Sequence, residues 1–478
     1  MNRILLIHPP IPHPAISTVS AWDLPSIGLA YIGAVLEENG YLVEVIDAHI
    51  SQLSLKALGK KISDFGPKII GITANGYTAR YAVATAKYIH KKYPDKFIVM
   101  GGPYPTAQYE YLLRHEICDA CVLGEGEYSF LELVKNIVHN HSLSKVKGIA
   151  YNDSEKVVVN PRRDYITDLD SLPYPAWHLF PPLNRYNKLR GVTKKPYLPI
   201  VTGRGCPFGC IWCQKDIHGQ GYRKRSPWQV VDEMKYMIDK YRVKEFTIMD
   251  DTFTVNKNHA KTICKLMIKD KLNVFLNIYN GTRADHLDDE ILSLLKAVGV
   301  TRLTIGVESG NQDVLDQTGK NLQLPDVLEA VHLVKKHGII IDGFFILGLP
   351  FDTAETMDQT IQFAIKAGFD HAYFFTAIPY PGTRLFEMVQ KKGRLLEDLS
   401  MGCDYHISEG HPLYEMDSIP SRLVQEKYRL ALKRFYFRFS KIISLIFVYS
   451  RLFLQYRAFN EIWWLISQFL HLLGLGQK

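Results

Sequence analysis

Cys206, Cys210 and Cys213 stand within the stretch GRGCPFGCIWCQ (203–214), separated by gaps of three and two residues. Thiols packed this closely on one loop have the type and spacing of metal ligands, yet three fall one short of a tetrahedral site. Three readings are open. A structural zinc would take a fourth ligand from His218, Cys264 or Cys403. A cubane iron–sulfur cluster needs only three thiolates on three irons. Its fourth iron keeps an open position, as catalytic metal centres do, and can chelate a small molecule through amine and carboxylate groups. The third reading is three structural thiols without metal. Cys118 and Cys121 form another close pair, but Cys121 enters an apolar run instead of opening a helix, which favours buried structural thiols over a redox-active motif.

The elements around the loop decide what it is for. Apolar runs at Leu198–Thr202, Phe246–Met249, Val274–Ile278, Leu303–Val307, Phe344–Leu347 and Tyr373–Phe375 alternate with helical patterns such as Pro227–Tyr241, Asp288–Val298 and Ala354–Ala367. Six such units suit a partial (β/α)6 barrel of the TIM type, whose active sites lie at the carboxyl ends of the strands. The three cysteines follow the first of those strands directly. Tyr373, Phe374 and Tyr380 are candidates to line the barrel mouth, although aromatic residues in strands more often fill a core.

The first part of the chain has a different architecture. Runs at Arg3–His8, Leu42–Asp47, Lys68–Thr73, Phe97–Gly101 and Ala120–Gly124 alternate with amphipathic stretches such as Ile27–Asn39 and Ala79–Tyr93, which predicts a five-stranded, doubly wound parallel sheet. Ligands bind such sheets at the carboxyl ends of the strands. Four Gly- and Pro-rich loops fall there: one at Pro9, one at Thr73, Ala74 and Asn75, one at Gly101, Gly102 and Pro103, and one at Gly124, Glu125 and Gly126. Four loops at one edge read as a binding crevice. A hairpin over Gly148–Pro161 and a Pro-rich stretch over Ser171–Leu183 then separate two domains. The expected divisions are 1–145 for the sheet domain, 146–190 for hairpin and linker, 191–395 for the barrel and 396–478 for a helical C-terminal region.

Composition sets the wider limits. The chain has 478 residues, 47% hydrophobic and 22% charged, as in a globular protein of several domains. Seven cysteines without disulfide-like spacing, and an N-terminus without a secretory pattern, predict a cytoplasmic protein with reduced thiols. No nucleic-acid-binding motif is present. The net charge of +8 is concentrated late: Lys427 to Arg457 contains eight basic residues and no acidic one. Phe435–Gly476, with the pair Trp463-Trp464, is aromatic and basic but holds no uncharged run long enough to span a bilayer. It suits an interfacial helix on the inner face of an anionic membrane, or helices packed on the barrel or in a dimer interface.

CPFGCIWC resembles the CxxxCxxC loop of the radical S-adenosylmethionine (SAM) superfamily. The resemblance implies that Cys206, Cys210 and Cys213 hold a 4Fe-4S cluster whose open iron takes the amino and carboxylate groups of SAM. An electron from the cluster then cleaves SAM to methionine and a 5′-deoxyadenosyl radical that abstracts hydrogen from an unactivated carbon. It also places Trp212 against the adenine, Asp250 and Asp251 (MDDTFT) at the amino group, and Arg283 (NGTRAD) at the methionine carboxylate. Glu308 and Ser309 (TIGVESG) would meet the ribose, and Gly348 (GFFILGLP) would let backbone approach the adenine, with IPYPGT (378–383) as the rim after the sixth strand. A low-potential electron donor such as flavodoxin or ferredoxin is implied with the cluster.

ILLIHPP, IIGIT, VMGGPYPT and VLGEGE resemble the cobalamin-binding domain that precedes the barrel in the cobalamin-dependent branch of that superfamily. The DxHxxG signature that supplies histidine to cobalt elsewhere is absent, since Asp47-Ala48-His49 is followed by Gln52 where glycine should stand. The expectation is therefore an oxygen-sensitive enzyme that methylates an unactivated carbon of a small substrate, with a lipid-like one as the candidate, consuming one SAM as radical source and another to remethylate cobalt. Two alternatives remain: a cobalamin-associated radical cyclase or oxidative enzyme without methyl transfer, and a non-catalytic cobalamin or metal sensor. No residue in the sequence is identified as a catalytic acid or base.

Overall fold

The computed structural model describes residues 2–11, 23–154, 156–186, 194–278, 280–402 and 410–445. Its first part is a sheet of β1 (Arg3–His8), β2 (Leu42–Asp47), β3 (Ile69–Thr73), β4 (Phe97–Gly101), β5 (Ala120–Val122), β6 (Ile149–Asp153) and β7 (Lys156–Val159). The spatial order is β2-β1-β3-β4-β5-β6-β7, with the first five strands parallel. The hairpin expected over Gly148–Pro161 forms, but it does not stand apart. Ile149 pairs antiparallel with Val122, so the five-stranded sheet becomes seven-stranded.

Side-chain alternation explains why helices cover both faces. Ile4 and Leu6 of β1 enter one buried cluster with α1 (Ile27–Glu38) and α5 (Glu127–Val138). Leu5 and Ile7 enter a second with α2 (Leu55–Phe65), α3 (Ala79–Lys92) and α4 (Pro103–Arg114). Each such fully buried Leu or Ile contributes about 1.5–3 kcal/mol. The helix starts are chemically marked. Ser54 Oγ accepts from Ala57 N at 3.2 Å to cap α2, which closes at Gly66 with φ 61°. Cys118 and Cys121 lie in the second cluster, both buried, with Sγ atoms 3.6 Å apart.

The second part contains β8 (Tyr197–Ile200), β9 (Glu245–Ile248), β10 (Phe275–Ile278), β11 (Arg302–Glu308), β12 (Ile340–Leu347) and β13 (His371–Thr376). They form two parallel arcs, β8-β9-β10 and β11-β12-β13, joined by a bridge between Thr282 and Ile305. Helices α6 (Pro227–Tyr241), α7 (Lys257–Lys269), α8 (Asp289–Ala297), α9 (Gln312–Gln317), α10 (Leu324–Lys336), α11 (Ala354–Lys366) and α12 (Arg384–Lys392) alternate with or follow these strands. This is the partial barrel expected from the spacing. A last helix, α13 (Ser421–Tyr436), packs on α11 and β13 through Val424, Ala431 and Phe435. The first buried cluster runs on from the sheet through Tyr31 and Trp177 into Tyr197 and Phe246 of the barrel, so the two parts share one core.

Of the aromatic C-terminal stretch, everything from residue 446 onward, Trp463 and Trp464 included, lies outside the described residues, as does Cys403. Among the described residues no helix is long and apolar enough to cross a membrane.

Candidate functional site

The cysteine loop leaves β8 through Gly203-Arg204, which pairs antiparallel with Arg223-Lys224 and so closes the segment between them into a loop with a fixed neck. Gly205 turns at φ 88°, and a Cβ there would stand 2.1 Å from the Gly221 carbonyl oxygen, so only glycine fits. Farther along, Ile211 N donates to Thr318 O at 3.1 Å, and Leu385 N donates to Ile211 O at 3.0 Å. The loop is thus tied to the ends of both α9 and α12. Cys206 and Cys210 are half-buried and Cys213 is exposed, all three accessible on one loop, while Trp212 packs against the core.

The donor set fits a cubane cluster. Among the described residues no three His, Cys, Asp or Glu side chains converge to hold a single metal ion. A cubane does not ask for that convergence, because each thiolate binds a different iron. Of the possible zinc ligands, His218 is turned to Asp251, with Nδ1 3.4 Å from Oδ2, and Cys264 is buried in the core on α7. Two cations stand by the loop. Lys215 Nζ donates to Cys206 O at 3.4 Å, and the buried Lys320, beside Cys210, pairs with Glu308 Oε1 at 2.9 Å. Burial pushes the Cys210 thiol up, with Lys320 pulling against it.

The expected SAM contacts separate into two groups. Asp251 meets the loop: Oδ2 accepts from Gly205 N at 2.9 Å, and the neighbouring Thr252 Oγ1 lies 3.9 Å from Cys206 Sγ. Glu308 also faces the site, in the left-handed region at φ 70°, a strained backbone for a non-glycine residue, and it is held there by Lys320. The others are turned to different work. Asp250 is buried and accepts from the backbone and hydroxyl of Thr202, tying β8 to β9; burial pushes its carboxyl up to about 6. Arg283 spends its guanidinium on Asp285 and on the carbonyls of Lys320 and Asn321, and lies 3.7 Å from the Phe208 ring centroid. It anchors the 318–321 turn behind the cysteines. Ser309 is fully buried, with Oγ 3.2 Å from Thr360 Oγ1 on α11, away from the mouth. Gly348 packs on α13, where a Cβ would stand 2.9 Å from Val424, and its carbonyl accepts from the Tyr414 hydroxyl. These differences share one cause: each residue sits at the expected strand end, but contacts from distant parts of the chain claim it.

At the crevice of the first sheet, Pro9 is buried, Ala74 N donates to Gly101 O at 2.9 Å, and Asn75 Oδ1 accepts from Tyr77 N and Thr78 N at the start of α3. Gly102 turns at φ 104°, and a Cβ would stand 2.6 Å from Ala74 O, so two crevice loops touch backbone to backbone. Farther along the same edge, the segments after β1 and β2, the start of α2 and the face of α3 enclose a cavity of about 470 Å³ lined by Pro10, Ile11, Ala48, Leu53, Tyr81 and Thr85. Glu125 differs from the expectation. It is buried and ion-paired to Arg204 Nη1 at 2.9 Å and Arg223 Nη1 at 3.0 Å, which takes its carboxylate out of the crevice.

The crevice and the cysteine loop meet. Gln214 Nε2, next to Cys213, donates to Pro103 O at 3.0 Å. Gly124 lies against the Asp216 carbonyl, where a Cβ would stand at 3.6 Å. Tyr380 of the barrel rim covers Gly76 and lies edge-on to Tyr77, with ring centroids 6.2 Å apart. Of the other aromatic candidates, Tyr373 lies edge-on to Phe344 inside the barrel, but Phe374 points outward and stacks on Phe345 in the core. Arg204 and Lys320 carried no signal in the sequence, and Glu127, in the VLGEGE loop, none for its arginine, because their partners lie up to 79 positions away or depend on how a turn folds back.

Comparisons agree with this arrangement. The radical SAM superfamily profile matches residues 200–364, and the B12 binding domain profile matches residues 14–134. An uncharacterized methyltransferase of Pyrococcus horikoshii is 33% identical over 447 residues, covering 93% of this chain and 95% of that protein. The anaerobic magnesium-protoporphyrin IX monomethyl ester cyclase of Rubrivivax gelatinosus is 30% identical, over 82% of this chain and 70% of that one. Among solved structures, the cobalamin-dependent SAM radical enzyme OxsB matches all of this chain and 76% of its own, with a TM-score of 0.71 and 18% identity. The radical SAM methyltransferase TsrM of Kitasatospora setae, with cobalamin and a 4Fe-4S cluster, matches 82% of this chain and 78% of its own, at 0.67 and 20%. These two likenesses concern the fold. The superfamily brings with it the 4Fe-4S cluster and SAM, and the matched domain brings cobalamin. The chain belongs to the radical SAM superfamily, among the enzymes that carry a B12-binding domain ahead of the barrel.

Proposed function

We propose that the protein transfers a methyl group from cobalamin to an unactivated carbon of a small molecule. The observation that carries the reading is the direct contact between the cysteine loop and the crevice rim, through Gln214 and Pro103. When bound, the cluster supplies the electron that opens SAM to a 5′-deoxyadenosyl radical, and cobalamin supplies the methyl group. The chain's own residues bind and align. Cys206, Cys210 and Cys213 hold the cluster, Trp212 lies against the adenine, Asp251 takes the amino group and Glu308 the ribose. The Lys320 ammonium faces the SAM carboxylate in place of Arg283, whose donors are already engaged. Asp250, Ser309 and Gly348 act beneath the site by fixing strand ends. Pro9, Thr73, Ala74, Asn75, Gly101, Gly102, Pro103, Gly124 and Gly126 frame the cobalamin.

A methyltransferase relative at 33% identity favours methylation, and a cyclase relative at 30% supports the second reading, ring closure without methyl transfer. Trideuteromethyl-SAM separates them once the substrate is supplied from an extract of cells lacking the protein. With dithionite in place of flavodoxin or ferredoxin, the product is expected to gain three deuterium atoms; a product without label removes methyl transfer.

From the basic and aromatic C-terminal region we further propose that the protein works in the anaerobic cytoplasm, at the membrane's inner face, on a lipid-like substrate. Phe437, Phe439 and Ile443 are exposed just beyond the end of α13, whose last turn carries exposed Lys433 and Arg434. Flotation with anionic vesicles is expected to carry the full chain but not one ending at Tyr436, which keeps α13 on the barrel; equal binding of both removes the membrane contact.

A further inference from the structure

Arg204 stands two residues before Cys206, at the neck of the cysteine loop, and is buried at 5% exposure. Its guanidinium forks across two carboxylates at the exit of β5, Nη1 to Glu125 Oε1 at 2.9 Å and Nη2 to Glu127 Oε1 at 2.6 Å. The Tyr31 ring of α1 lies beneath it, 5.4 Å from its carbon to the centroid. Glu125 uses its second oxygen to accept from Arg223 Nη1 at 3.0 Å and from Ile166 N at 2.8 Å. Arg204 and Arg223 are direct partners in the ladder that closes the neck. Both strands of the neck are therefore gripped by one crevice loop, 124–127.

Such a network is poor value as a source of stability alone, since well-packed apolar residues usually do as well without the desolvation cost. What it adds is direction. A planar fork on two carboxylates permits one register, whereas apolar contact lets surfaces slide. We propose that Glu125 and Glu127 clamp Arg204 to set the separation between the cluster and the cobalamin crevice. Arg204 and the two glutamates are positioning residues in this role, touching neither SAM nor substrate. The inference rests on the cofactor assignment above and concerns distance, to which transfer between bound centres is acutely sensitive.

The test uses the full chain, reconstituted anaerobically with iron and sulfide, loaded with hydroxocobalamin and reduced so that cluster and Co(II) are both paramagnetic. Their magnetic dipolar splitting varies as the inverse cube of their separation. In Glu127→Gln and Arg204→Lys the splitting is expected to shrink or spread into a distribution. Iron content, cobalamin content and substrate-free 5′-deoxyadenosine formation should stay within about twofold of the native chain, because those residues touch neither cofactor. Glu125→Gln, which leaves Glu127 on the fork, is the milder variant if either of the first loses a cofactor. A lowered melting temperature with an unchanged splitting in these variants overturns the clamp and leaves a structural ion pair. Failure of the native chain to hold cobalamin, or to show any splitting, overturns the cofactor reading instead.

Discussion

Cys206→Ala is expected to lose the cluster and, with it, formation of 5′-deoxyadenosine, by well over about 100-fold. Removing only a partner that orients a metal ligand commonly costs about 10–100-fold in metal affinity or activity, and here the ligand itself goes. The structure offers no nearby substitute among the described residues. Cys264 is fully buried on α7, and Cys118 and Cys121 are sealed in the core on the far face of the first sheet. His218, the nearest alternative by sequence, is turned to Asp251. Iron and sulfide per chain, together with chromatographic detection of 5′-deoxyadenosine after anaerobic reconstitution, give the answer. Cleavage of SAM at the native rate in the variant would sink the radical reading. Cys264→Ala serves as the control, with native iron content expected.

Arg225→Met should be the costliest single change to stability outside the apolar core, at about 3–5 kcal/mol. Arg225 is buried, donates to Val201 O at 3.1 Å and pairs with Glu233, whose side chain on α6 is 0% exposed. Burial pushes the Glu233 carboxyl up, with Arg225 pulling against it. Without that cation the folded protein must bury a bare carboxylate or pay for a proton. Since the orphaned group binds a proton more tightly folded than unfolded, the deficit should be largest at alkaline pH and shrink as pH falls toward the ordinary carboxylate range. The double variant with Glu233→Met is expected to recover most of the loss. Denaturant unfolding at two pH values measures all three chains, and a single-variant loss below about 1 kcal/mol would contradict the account.

Much of the architecture was legible because it is written in local period. The β1 alternation Ile4, Leu5, Leu6, Ile7 needs both faces covered, and α6 begins at Pro227 and ends at Tyr241 as its pattern predicts. The ends of β1, β2 and β4 agree to the residue with the apolar runs. The hairpin was legible as a hairpin, but its pairing with β5 was not, since nothing in GIAYNDSEKVVVNP states which edge it meets. The same divide runs through the site. CxxxCxxC is readable because one short loop carries all its ligands. Asp251 and Glu308 lie where strand-end motifs place them, whereas Ser309, Gly348 and Glu125 are claimed by Thr360, Val424 and Arg204 from distant parts of the chain.

By itself, then, the sequence determined the elements, their order, the cysteine loop and the family, all of which depend on neighbours within a few turns or strands. Only the tertiary structure decided which carboxylates lie by the cysteine loop and which are spent on arginines, and how near that loop comes to the crevice. The physical reason is that a buried charge must find its counter-charge wherever the fold brings one, and residues 204 and 125 become partners only after two domains have closed on each other.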